Sequence, residues 1–153
     1  MDPAGFRRIA VATDGSETAG AAVGTAIDLA KRYSADLLII AIAPLPPVFS
    51  APNEPLVPAT MPLNPVPHYR GLVDAAVARA RAAGVSSVTG VCEEGMVVEE
   101  ILEQVTAHRS DLLIVGSRGL SAAKRLVLGS VSTALVTHAP VPVLVVRPVT
   151  KPS

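Results

Sequence analysis

Three short, almost unbroken apolar runs constrain this chain more than any other feature: Arg8 to Thr13 (Arg-Ile-Ala-Val-Ala-Thr), Asp36 to Ala43 (Asp-Leu-Leu-Ile-Ile-Ala-Ile-Ala) and Asp111 to Val115. A strand with one wet face alternates apolar and polar residues. A run without alternation belongs to a strand buried on both faces, as in a parallel sheet covered by helices. Between these runs, apolar residues recur at helical spacing. Ala19, Ala22, Val23, Ala26, Ile27 and Ala30 share one face of a helix predicted to run to about Tyr33, with Ser16 or Asp14 as its cap. Leu72, Val73, Ala76, Val77 and Ala80 do the same from about Tyr69 to Ala83, leaving Arg70, Arg79 and Arg81 to solvent. A third helix spans about Val97 to His108, and a fourth follows Ser130 to His138. Ser87 to Cys92 reads as a weaker strand suited to an edge, turned by Glu93-Glu94-Gly95. Val141 to Val146 reads as another edge strand, because Pro142 cannot donate to a ladder. Strand and helix alternation with right-handed crossovers predicts an α/β fold: a five-stranded parallel sheet of order 3-2-1-4-5 with helices on both faces, Rossmann-like.

Length and charge narrow the functional classes. A chain of 153 residues, half of them hydrophobic, has the material for one core, so one domain over 1–153 is expected. Thirteen basic residues balance thirteen acidic ones and aromatics are 3%, which argues against nucleic acid as a partner. Cys92 is the only cysteine and reads as a small core residue. No apolar run approaches the roughly 20 residues of a membrane helix, and the first residues do not resemble a signal peptide. A cytoplasmic protein without membrane contact is expected.

Nine of the fourteen prolines fall between residues 44 and 67, a density that prevents both helix and central strand. This proline-rich loop leaves the sheet at the same end as the functional loop described next. Two readings stay open for it, a lid over a ligand and a surface insertion.

The stretch from Gly116 to Ser132 joins the third apolar run to the fourth helix and has the spacing G-x2-G-x9-G-S, with glycines at 116, 119 and 129 and Ser130 after the last. Glycines permit positive φ and close approach of a bulky anion to main-chain amides. Gly129, Ser130, Val131 and Ser132 sit where a helix begins, so free N–H groups and the positive end of the dipole face the loop. Arg118 adds a planar cation, and Ser130 and Ser132 add hydroxyls. The bland alternative is turn glycines and an ordinary serine cap. Lys124 and Arg125, in a segment read as a short helical turn, either meet terminal phosphates or are solvated. Asp14, at the end of the first strand, is either a helix cap or an acceptor for ribose hydroxyls or a base amino group. In the predicted strand order Asp14 and Gly116 flank the point where the order reverses, the usual ligand crevice of such sheets.

Other chemistries lack their residues. There is no G-x4-G-K-[ST] phosphate loop, no G-x-S-x-G elbow, and no metal spacing among His68, His108 and His138. No residue is marked as a general base, so hydrolysis of a bound triphosphate is expected to be slow and a dedicated catalytic role is not expected.

The glycine spacing, together with Val-Ala-Thr-Asp-Gly-Ser at 11–16 and Val-Pro-Val-Leu-Val-Val-Arg at 141–147, resembles the universal stress protein family, in particular its ATP-binding branch, over about Arg8 to Arg147. The resemblance implies an adenine nucleotide alpha hydrolase-like fold and a stress-response or signalling role. ATP is the implied ligand, with Mg2+ or Mn2+ carried on its phosphates. It implies that Ala12 and Thr13 line the adenine with main chain, that Ile42 packs against it, and that Asp14 contacts the nucleotide. The residue types alone favour plain core for Ile42. It also implies a homodimer through antiparallel pairing of Val141 to Val146. A weak ATPase, self-phosphorylation on a serine such as Ser130, a pure interaction module and a sensor of cyclic AMP remain as alternatives.

Overall fold

The computed structural model describes residues 5–45, 64–118 and 128–147. Nine elements alternate in order: β1 (Arg8–Ala12), α1 (Glu17–Tyr33), β2 (Asp36–Pro44), α2 (Val66–Ala82), β3 (Val88–Gly95), α3 (Val97–Ala107), β4 (Leu112–Gly116), α4 (Ser130–His138) and β5 (Val143–Val146). The five strands form one parallel sheet of order β3-β2-β1-β4-β5. The expected topology is the one found.

Two-sided burial explains the apolar runs. Ile9, Val11, Leu37, Ile39, Leu112 and Ile114 point toward α1 and α2, while Ala10, Leu38, Ile40, Ile42, Leu113 and Val115 pack against α3 and α4. Removing a side chain of this size from water contributes about 1.5–3 kcal/mol, so each face of the central strands favours its register strongly. Asp111 fixes the start of the β1–β4 pairing: its carboxylate accepts from the Arg7 amide at 2.8 Å and the Arg8 amide at 3.2 Å.

Several boundaries differ from the sequence reading. β3 continues through Glu93, Glu94 and Gly95, which pair with Ile42, Ala43 and Pro44, because β2 is long enough to carry the ladder that far. The proline-rich loop loses both ends, Pro44 closing β2 and Val66 opening α2, where Asn64 Oδ1 accepts from the Val66 amide at 3.1 Å. Its interior, and with it the lid reading, lies outside the described residues, as do Lys124, Arg125 and most of the short helical turn expected there. β5 starts at Val143; Pro142 precedes it and accepts from the Leu113 amide at 3.0 Å. Arg79 is not simply solvated. Its guanidinium donates to the Gly20 carbonyl at 3.0 Å and covers the bare backbone of α1 at Gly24.

Candidate functional site

β1 and β4 are neighbours, and the helices that follow them leave on opposite faces, so their carboxyl ends open a crevice at the switch point. Ala12, Thr13 and Asp14 form one lip. The Thr13 amide donates to the Ile40 carbonyl at 2.9 Å, which holds this segment against β2. Asp14 Oδ1 accepts from the Ser16 amide at 2.9 Å, and Ser16 Oγ accepts from the Ala19 amide at 3.2 Å. Capping of α1 therefore falls to Ser16, and Asp14 shapes the turn before it. Gly15, between them, has φ 83°, a conformation that favours glycine.

The opposite lip is Gly116 to Arg118. Gly116 is the last residue of β4 and is buried, and its φ is not positive. A different contact requires glycine there: an added Cβ would lie 2.7 Å from the Thr18 main chain and 2.9 Å from the Ala19 nitrogen. The absent side chain lets the first turn of α1 pass directly over β4. Thr18 Oγ1 donates to the Arg118 carbonyl, Ser16 Oγ reaches the same oxygen at 3.4 Å, and the Arg118 amide returns to Thr18 Oγ1 at 3.4 Å. Buried Thr18 thus ties the two lips together. Sequence reasoning passed over it, although a polar residue on the apolar face of α1, one turn from Asp14, was the available signal.

α4 closes the crevice. Gly129 is its cap, in extended conformation (φ −61°, ψ 161°), with its amide on the Ser117 carbonyl at 2.8 Å. α1 has a serine cap and Glu17 in its first turn, α3 has Glu99 and Glu100, and α2, which has neither a side-chain cap nor a first-turn acid, has its Val66 amide bonded to Asn64. α4 has neither a side-chain cap nor an acidic residue in its first turn. Its positive end is open, with Ser130 and Val131 exposed, and a terminus of this kind favours an anion. Ser132 is placed differently from its neighbours: it is 6% exposed and its hydroxyl donates to the Gly116 carbonyl at 2.6 Å. Gly119 lies outside the described residues.

Ile42 is 4% exposed and belongs to the core on the α3/α4 face, with half-buried Ala12 in the same cluster. Two residues beyond it, Pro44 and Leu45 enter an open groove of about 510 Å³, completed by Met96, Val97, Ala134 and His138. A wall that the sequence reading did not identify comes from the first turns of α2, where Leu72 closes on Gly15 and Tyr69 packs on Ala41, Val73 and Cys92. Burial, and then the negative charge of Asp14, raise the Tyr69 phenol above its ordinary value. Burial likewise raises the Cys92 thiol, opposed by Arg70; this residue packs with Ala41 and Val73 as core. No group of three or more potential metal ligands is present among the described residues.

Fold and crevice together define a doubly wound α/β protein whose switch point faces an uncapped helix terminus. The sequence model of the universal stress protein family matches residues 5–147, and the chain belongs to that family. It is 34% identical over 146 residues to a universal stress protein of Thermus aquaticus, covering 93% of this chain and 99% of that one. With the Bacillus subtilis universal stress protein YxiE it shares 30% over 150 residues, covering 93% and 99% respectively. A crystal structure of a universal stress protein in complex with cAMP superposes with a TM-score of 0.68 at 26% identity, over 94% of this chain and 98% of that one. No helix among the described residues is long and apolar enough to cross a membrane.

Proposed function

We propose that this protein binds ATP and acts as a nucleotide-dependent stress-response or signalling module of the cytoplasm. The observation that carries the reading is α4, whose N-terminus has no side-chain cap and no first-turn acid and opens at the switch point. Gly129, Ser130, Val131 and Ser132 would hold phosphates through their amides, with Arg118 and Gly119 completing the cradle. The described residues fit that ligand in one further respect. Gly116 draws α1 and β4 together, so Asp14 and the α4 terminus serve a single crevice. Asp14 takes the ribose hydroxyls, Ala12 and Thr13 present main chain to the base, and Ile42 supports it from the core. Mg2+ or Mn2+ would ride on the phosphates, because they supply the hard oxygen ligands such ions prefer. With no general base positioned by the sequence, bound nucleotide serves to set shape or partner choice, and turnover is slow. The protein works as a homodimer through the edge strand around Val143–Val146.

Cyclic AMP is the second reading, favoured by the ligand of the 26% identical universal stress protein. Titration calorimetry with ATP, ADP and cyclic AMP decides between them. ATP with Mg2+ is expected to bind most tightly; tighter binding of cyclic AMP overturns the choice of ligand, and heat from none of the three overturns the nucleotide reading.

A further inference from the structure

We infer that Tyr69 is a specificity-determining residue of this crevice, its phenol and the Asp14 carboxylate forming a donor and acceptor pair for the cis-diol of a ribose. The inference rests on the nucleotide reading above and names the part of the ligand that this wall selects.

In a parallel crossover the helix after a strand runs back along the sheet, so the first turn of α2 stands at the carboxyl edge, level with the β1–α1 turn. Tyr69 lies in that turn. Leu72 is three residues further and shares its face, and Leu72 Cδ2 is 3.0 Å from the place where a Cβ on Gly15 would sit. This face of α2 therefore closes directly on the residue after Asp14. The Tyr69 ring packs on Ala41, Val73 and Cys92 and meets the His68 ring edge-on at 5.3 Å between centroids, so its position is set by packing. Burial first, and the Asp14 charge second, oppose loss of the phenol proton, so the group stays a donor.

The chemistry of the pair is complementary. An ionised carboxylate only accepts, whereas a phenol donates as well. A sugar hydroxyl both donates and accepts, so it is satisfied fully only where both kinds of partner stand together. A 2′-deoxy sugar leaves one of these partners unpaired, and sites built to bond a hydroxyl reject ligands lacking it.

The test is calorimetric titration of ATP and 2′-deoxyATP into the full-length protein and into Tyr69→Phe, which keeps the packed ring. The parent is expected to prefer ATP by about tenfold, and Tyr69→Phe to weaken ATP binding by a similar factor while leaving 2′-deoxyATP unchanged. In a Tyr33→Phe background, ultraviolet titration of the remaining phenol should also move to lower pH with Asp14→Asn. A parent preference that Tyr69→Phe leaves intact, or a phenol that does not respond to Asp14→Asn, overturns the assignment and leaves the nucleotide reading standing. A parent that binds neither nucleotide overturns both.

Discussion

The hydroxyl of Ser132 donates to the Gly116 carbonyl at 2.6 Å in a buried position, bracing the first turn of α4 against the end of β4. Removing it orphans a buried acceptor, so Ser132→Ala is expected to cost about 1–3 kcal/mol. Ser130→Ala, at an exposed position, should change stability by less than about 0.5 kcal/mol. Urea unfolding of both variants checks this; equal midpoints would contradict the bracing role. The pattern of glycines and serines was visible in the sequence, but the reason for each was not. Gly116 is required by the passage of Thr18 overhead, and spacing along one loop carries no information about a helix that crosses it from residue 17 onward. Tyr69 escaped for the same reason, since the β1–α1 turn is distant in sequence and α2 meets it only in the folded chain, where Leu72 closes on Gly15.

At the level of elements, the legible parts were those with a strong local signal. β1, β2 and β4 announce themselves by burial on both faces, and α1 by its small-residue face and serine cap. β3 was read short because Glu93 and Glu94 look like a turn, whereas their strand character comes from pairing with the end of β2. Among the described residues β5 pairs with β4 on one side and no strand lies on the other, and Leu144 within it is 37% exposed. An apolar edge of this kind is open to pairing with a second copy. Leu144→Asp places a charge on that edge at little cost to the protomer. Light scattering after gel filtration should find the parent dimeric and the variant monomeric; a variant that remains dimeric would remove β5 from the interface.

In the whole molecule, sheet order, the missing side chain at Gly116 and the uncapped α4 terminus meet at the switch point, where the proposed anion site lies. Gly129→Asp addresses it directly, because the extended conformation of Gly129 accepts any residue and an aspartate there caps α4 with its own carboxylate. The measurement is the melting temperature of parent and Gly129→Asp with and without ATP and Mg2+. At a ligand concentration about 100 times the dissociation constant, the parent should gain about 2.7 kcal/mol of stability. The variant should melt higher than the parent without ligand, gaining about 0.5–2 kcal/mol from the cap, and should show no response to ATP. A variant that keeps the full ATP-dependent rise would show that phosphates do not bind at the α4 terminus.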